Sequence, residues 1–365
     1  MRVLTRVVGH LDLDYFYAQV EEARDPSLRG LPVVVCVYSG RAEDSGVVST
    51  ANYKAREFGI RSGMPITLAK RRLKEVESKF IAMRRERYEA YSERIMTLLK
   101  EETDITEQTG IDEAFFDITA KAGNDFELAS GIASEIKREV FQRERLTCSI
   151  GLGPNKIVAK LASDFLKPDG LTIVTPQQVK GFMDPLSVDK LYGIGSKSSA
   201  LLREKGVVTI ADLARTDLSL LEELFGRKLA VYIHNAANGV NEEPVTERGQ
   251  ATQISRIITL KRDSRNVDEI LAQLTPTFED LHSRVVEKKL FFRTVSVIGI
   301  LTDLSIRTRT KTLEAPTAEL SAIGGSAPDL LLSLIKESGE LRRVGIKVSG
   351  FNEVKDQSSL AEFLQ

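Results

Sequence analysis

The strongest constraint on this 365-residue chain is the order of patterns between residues 82 and 152: helix, hairpin, helix, strand. In RYEAYSERIMTLLKEE, Tyr88, Tyr91, Ile95 and Leu98 recur at helical spacing; in ELASGIASEIKREV, Leu128, Ile132, Ile136 and Val140 do the same. Between them, DITEQTGIDEAFFDIT reads as two short strands around a turn at Gly110, and LTCSIGL as a further strand. With RVVGHLD as the first strand, the order is βαββαβ, the ferredoxin-like arrangement. There the first and third strands lie side by side and antiparallel, so the end of one meets the start of the other. Asp12 stands at that end; Asp112 and Glu113 stand at that start. Adjacent strand residues normally face opposite ways, but beside a turn the alternation relaxes, and the three carboxylates can converge.

Exposed acids at strand ends are the plain reading of such residues. Three like charges brought together, however, need cations. Cys36 and Cys148 sit in apolar strand-like runs, and His10, His234 and His282 are scattered without ligand spacing, so any metal must be held by oxygen. Oxygen ligation points to Mg²⁺ or Mn²⁺, and a pair of such ions suits phosphoryl transfer.

Residues 18–81 interrupt the unit as an insertion with the strand LPVVVCVY and the helix ANYKAREF, closed at Gly59. Tyr53 and Arg56 share one face of that helix, where they could grip a phosphate. Lys156, Lys160 and Lys167 flank the apolar stripe Ile157, Leu161 and Phe165; solvent is their ordinary destination unless they face the acids. Residues 176–241 look all-helical, and LYGIGSKSSALLREKGV is similar to a helix-hairpin-helix. There Gly193 and Gly195 permit close approach, and the amides opening the next helix, beside Lys197, can bind a DNA phosphate. LFGRKLAVYIHNAANG is a weaker copy, and NEEPVTERG (242–250), polar and aperiodic, reads as a linker.

From residue 251 a second βαββαβ pattern follows: TQISRIITL, one long helix through 267–290, TVSVIGIL, SIRTRTKTLE, a helix over 327–338, and RRVGIKVS. Within it IRTRTKT projects Arg307, Arg309 and Lys311 to one side of a strand. That suits a phosphate backbone, or else an edge strand guarded by charge. At the C-terminus, KDQSSLAEFLQ spaces Gln357, Leu360, Phe363 and Leu364 so that one helical turn presents an apolar plug. A net charge of −1 does not announce a nucleic-acid partner, but residues 251–352 carry roughly three more basic than acidic side chains. With 42% hydrophobic and 28% charged residues the chain should fold as several domains. No apolar run nears the roughly 18 residues of a membrane span, and the early carboxylates oppose a signal peptide, so a cytoplasmic protein is expected.

The segments LDLDYFYAQVEE, STANYKAREFG, IDEAFFDIT, GPNKIVAKLASDFLKPDG, the GIG hairpin and ISRIITLKRDSRN follow one another as in Y-family (DinB-like) translesion DNA polymerases. Over nearly its whole length the chain resembles the archaeal DNA polymerase IV branch. The resemblance implies an α+β right hand: palm at 1–17 and 82–175, fingers at 18–81, helical thumb at 176–241, linker at 242–250, little finger at 251–352, and tail at 353–365. It implies an enzyme that copies a template with low fidelity, moving nucleotides from dNTP to a primer 3′-hydroxyl with two Mg²⁺ ions, Mn²⁺ being a substitute. Asp12, Asp112, Glu113 and the carbonyl of Leu13 fall on the family's metal ligands. Tyr15, Phe16, Tyr53, Arg56 and Lys167 fall on residues holding the triphosphate, and Tyr17 on the steric gate under the sugar. The C-terminal plug resembles a sliding-clamp peptide, and the partners implied are primer–template DNA, dNTP and a clamp, with the chain itself a monomer. Gly110 stands where many relatives have Ser, and Tyr192 where Pro is common; these concern turn geometry alone. An adaptor that has lost catalysis and a metal-dependent nuclease are the competing classes, and dNTP-dependent lengthening of a primer separates them from a polymerase.

Overall fold

In the computed structural model, which describes residues 6–247, 249 and 251–352, strand β1 (Val8–Leu13) runs almost directly into helix α1 (Phe16–Arg24). An insertion follows: β2 (Val33–Tyr38), β3 (Gly46–Ala51), α2 (Tyr53–Glu57), α3 (Ile66–Arg72) and β4 (Lys79–Ala82). Its sheet, ordered β3-β2-β4, closes over Val34, Cys36, Val48, Ile60 and Ile66. The chain returns through α4 (Arg85–Glu102), β5 (Ile105–Gln108), β6 (Glu113–Asp117), α5 (Phe126–Glu144), β7 (Cys148–Gly153), α6 (Lys156–Phe165) and β8 (Leu171–Ile173). The five-stranded sheet is ordered β5-β6-β1-β7-β8, with β6 and β7 antiparallel to β1 on its two sides. This is the expected ferredoxin-like order, extended by β8.

Strand alternation divides the sheet's residues cleanly. Leu11, Leu13, Phe116 and Ile150 join Tyr88, Ile95, Leu99, Ala133 and Ile136 from α4 and α5 in one buried cluster. Full burial of such side chains stabilises by about 1.5–3 kcal/mol each. The other face carries Val8, His10 and Asp12, and α6 lies against it. Gly151 makes that approach possible: a Cβ there would come within 2.2 Å of the backbone of Ala159 and Ser163. No side chain could occupy that space.

Helices α7 (Val179–Met183), α8 (Ser196–Glu204), α9 (Ile210–Arg215), α10 (Leu218–Phe225) and α11 (Arg227–Ala237) form the expected helical region. They close over Met183, Leu202, Ile210, Leu213 and Ile233. Gly193 has φ 94° and a Cβ on it would press to 2.8 Å from the ring of Tyr232, so this turn needs glycine. Gly195 differs: its φ of −84° is open to any residue, and it serves as the N-cap of α8. The start of the expected linker is strapped down. Val245 is buried with Val8, Phe115 and Ala159. Lys156 pairs with Glu107 at 2.6 Å and Glu243 at 3.1 Å, while Arg6 donates to the carbonyls of Asn241 and Glu243.

The described residues fall into two compact units, one holding those up to 37 and from 47 to 247, the other 38–46 and those from 249 on. The second contains β9 (Gln253–Ser264), α12 (Val267–Leu274), α13 (Pro276–Glu287), β10 (Phe291–Leu301), β11 (Ile306–Thr317), α14 (Leu320–Ser338) and β12 (Leu341–Asn352). The single helix expected over 267–290 is two, divided at Pro276, which has no amide to give to the preceding turn. The helix expected over 327–338 begins earlier, at Leu320, and runs through Pro328 because Ile323, Ala327, Leu331 and Leu334 bury one continuous stripe. The βαββαβ succession holds, but the antiparallel sheet is ordered β11-β10-β12-β9, with the first strand at the edge. Among the described residues no helix is long and apolar enough to cross a membrane.

Candidate active site

Asp12 and Glu113 are direct partners across β1 and β6. The Leu13 amide donates to the carbonyl of Asp112 at 2.8 Å, placing Asp112 beside them in the turn that precedes β6. The convergence expected from the topology is therefore present in the backbone. The side chains are held by lysines: Lys167 lies 2.7 Å from Asp12, and Lys160 lies 2.6 Å from Glu113. Of the three lysines read as flanking a stripe, these two reach the acids. Lys156 is buried, yet it serves the strap described above.

Burial pushes the Asp12 carboxyl up to about 6, against the pull of Lys167, and burial likewise lifts Asp112 above its ordinary value. Among the described residues no group of three or more His, Cys, Asp or Glu is arranged to hold a metal ion. The donors still fit a hard divalent cation: they are oxygens, burial strips water from Asp12 and Asp112, and their charge is met by lysine ammonium groups rather than by guanidinium forks.

Around the acids stand the residues expected to meet a nucleotide. Tyr15 takes a left-handed backbone conformation (φ 34°, ψ 43°) at the N-cap of α1, an uncommon state for a bulky residue. Its ring meets that of Tyr53 edge-on at 5.3 Å, and the Arg56 guanidinium lies 4.8 Å above the Tyr53 ring. Phe16 is 2% exposed, so only its backbone amide, opening α1, can face a ligand. Tyr17 stacks on the buried ring of Tyr88 at 4.3 Å and 16°. Tyr88 is anchored in turn by a 2.7 Å bond to Glu21, which also pairs with Arg87. The ring of Tyr17 is thus backed by a rigid wall.

Two buried polar residues beside the acids, Asp14 and His10, carry no mark in the motifs above. Asp14, 1% exposed, accepts from Thr147, Ser149 and the Asp169 amide, which ties the segment after Lys167 to the sheet. His10, scattered in sequence from the other two histidines, lies wholly buried two residues before Asp12 on the same face. Burial holds its imidazole below the ordinary value, hence neutral. The period-two spacing of His10, Asp12 and Asp14 around one strand end was the available signal.

The basic run of the second unit lies along one side of an edge strand, and the pairing of that strand shows which side. Arg307, Arg309 and Lys311 do share one side of β11, but their cross-strand partners are Gly299, Val297 and Val295. Those valines belong to the core beneath the helices, so the cations rim the helix-covered side, where Arg309 pairs with Glu337 of α14. The strand is at the sheet's edge. Gln357, Leu360, Phe363 and Leu364 lie outside the described residues.

Residues 11–164 match the model of the impB/mucB/samB family, residues 251–361 that family's C-terminal domain, and residues 189–241 the DNA polymerase-iota thumb domain. The chain is 40% identical to the DNA polymerase IV of Nitrosopumilus maritimus over 98% of this chain and 99% of that protein. A solved Y-family DNA polymerase chimera of Dbh and Dpo4 superposes with a TM-score of 0.86 at 35% identity, over 94% of this chain and 98% of that one. The chain belongs to the Y family of DNA polymerases. Identity to the DNA polymerase IV of Methanosarcina acetivorans is 42%, over 99% of this chain and all of that protein. A ternary complex of Dbh DNA polymerase superposes with a TM-score of 0.70 at 35% identity, over 94% of this chain and 98% of that one. Within the DNA polymerase IV branch, the chain is a DNA-directed DNA polymerase of the translesion type, a class that needs divalent metal ions.

Proposed function

We propose that the chain extends a primer 3′-hydroxyl along a DNA template with nucleotides from dNTP, releasing pyrophosphate, and that Asp12, Asp112, Glu113 and the carbonyl of Leu13 hold two Mg²⁺ ions. The observation that carries this reading is the meeting of desolvated acids at the ends of two central antiparallel strands. When bound, the ions supply activation of the attacking hydroxyl and neutralisation of the leaving phosphate. Mn²⁺ is able to replace them.

The chain's own groups do the rest. Lys167, Tyr53 and Arg56 hold the triphosphate, joined by the free amides that open α1 beside Tyr15 and Phe16. Tyr17, backed by Tyr88, lies under the sugar and collides with a 2′-hydroxyl. We assign the palm to 1–17 and 82–175, the fingers to 18–81, the thumb to 176–241 and the little finger to 251–352. Primer–template DNA is gripped by the turn of Gly193, Gly195 and Lys197 and by Arg307, Arg309 and Lys311. The fingers carry only the small sheet β3-β2-β4 with the short helices α2 and α3 beside it, and this small size supports synthesis past damaged bases with low fidelity. A sliding clamp is the proposed partner of Gln357, Leu360, Phe363 and Leu364, and the enzyme works as a cytoplasmic monomer.

The test is primer extension with single dNTPs and Mg²⁺ on undamaged and abasic templates, beside Asp112→Ala. Templated addition by the wild type that is lost in the variant is expected, with passage over the abasic position. Binding of primer–template without any addition in Mg²⁺ or Mn²⁺ would replace this reading with that of an adaptor.

A further inference from the structure

Behind the acids lies a second layer of polar groups, and its role rests on the reading of Glu113 as a metal ligand. The His10 ring packs on Phe115 with centroids 4.6 Å apart. Its Nδ1 is 2.8 Å from the Ser163 hydroxyl, which donates to the carbonyl of Lys160 at 2.9 Å. A hydroxyl that has given its single proton to a carbonyl can only accept from the ring. Nδ1 therefore carries the imidazole proton, and Nε2 turns a lone pair toward the Lys160 ammonium 3.3 Å away.

Lys160 thus has a fixed acceptor behind it and the Glu113 Oε2 in front of it at 2.6 Å. The imidazole edge is 3.6 Å from the same oxygen, beyond hydrogen-bonding reach, so the ammonium is the partner that orients the carboxylate. The other oxygen, Oε1, accepts from the Thr109 hydroxyl at 3.3 Å. The loop from Lys160 through His10 and Ser163 closes on the backbone of Lys160 itself. Its position relative to the sheet is fixed by the contact at Gly151.

We propose that Lys160, backed by His10 and Ser163, is a positioning residue for Glu113, fixing the carboxylate in one orientation while its charge weakens the hold on a divalent ion. A neighbouring positive charge opposes a cation, so losing it strengthens binding, and losing the orientation slows the reaction. These two effects run in opposite directions, which a merely structural residue would not produce.

The test compares Lys160→Met, Lys160→Arg and His10→Phe in the full-length chain. Mn²⁺ binding to the complex with a dideoxy-terminated primer–template and the matched dNTP is followed by electron paramagnetic resonance, where no chemistry occurs. Single-turnover extension of an ordinary primer gives the rate. Lys160→Met is expected to bind Mn²⁺ at least roughly threefold more tightly and to extend at least roughly tenfold more slowly. Lys160→Arg, keeping the charge, should return affinity to about the wild-type value and recover most of the rate. His10→Phe keeps the packing on Phe115 and the charge, so affinity should hold while the rate drops several-fold. Unchanged or weaker Mn²⁺ binding in Lys160→Met, or a wild-type rate, overturns the proposal. Should that variant not fold, a wild-type rate in His10→Phe overturns it and a slowed one upholds it. Asp112→Ala is run alongside: extension lost there keeps the metal-ligand reading even when the Lys160 arms fail, and extension retained there removes that reading first.

Discussion

In the first unit the opening strand β1 lies between β6 and β7, so its last residues are enclosed on both sides; in the second the opening strand β9 is at the edge and the closing strand β12 has moved inward. The succession of elements is the same, and the chemistry each sheet can host is opposite. Acids at the end of an enclosed strand lose water together and each draws in an ammonium group, as Asp12 does with Lys167 and Glu113 with Lys160. Bases along an edge strand keep their water, as the exposed Arg307 and Lys311 do on β11. The place of a strand in its sheet thus decides whether its charges form a unit or a sum.

The largest test of that contrast removes one acid. Asp112→Ala or Glu113→Ala should cut single-nucleotide extension by at least roughly a thousandfold, since several kcal/mol of charge stabilisation goes with it. DNA binding measured by fluorescence anisotropy should persist, and extension retained in either variant would undo the idea of a shared site. Next, Tyr17→Ala should raise ribonucleotide use relative to deoxyribonucleotide by roughly a hundredfold, read as the ratio of kcat/KM values. An unchanged ratio would mean that the wall of Tyr17 and Tyr88 does not face the sugar. Third, Gly151→Ala should destabilise the first unit by about 2–3 kcal/mol through overpacking, seen as a lower denaturation midpoint. A neutral result would show that α6 can lift from the sheet.

The edge strand should answer in smaller, additive steps. Arg307→Ala, Arg309→Ala and Lys311→Ala should each weaken primer–template binding several-fold and lower the slope of log K against log salt by about 1. Losses that multiply in the triple variant far beyond the singles would erase the distinction between the two sheets. Smallest of all, Glu337→Gln frees Arg309 from its partner and should tighten DNA binding by about twofold at low salt. Weaker binding instead would give Glu337 a role of its own.

Much of the first unit was legible in the sequence because its signals are local. Tyr88, Ile95 and Leu98 give the period of α4, Gly110 gives the hairpin turn, and the ferredoxin order then forces Asp12 toward Glu113. What was missed depends on contacts remote in the chain. Nothing near His10 says that Ser163, 153 residues later, will bond it, and nothing near Lys160 says that Gly151 will let its helix settle against β1. In the second unit the alternation of Arg307, Arg309 and Lys311 showed that they share a side, but only the pairing of β11 with Val295 and Val297 tells which side. The break at Pro276 was readable from its ring; the passage of α14 through Pro328 was not, since tertiary burial overrides the local preference.

The strap around Val245 decides where this polypeptide can be cut. A fragment stopped at residue 241 would keep every residue proposed to hold metal or nucleotide, yet it would open an apolar socket among Val8 and Phe115 of the acid-bearing strands and Ala159 of α6. It would also leave the Lys156 ammonium with one carboxylate in place of two. The natural end of the catalytic piece is therefore after residue 247, and a shorter fragment should be prone to aggregation for reasons unrelated to its chemistry.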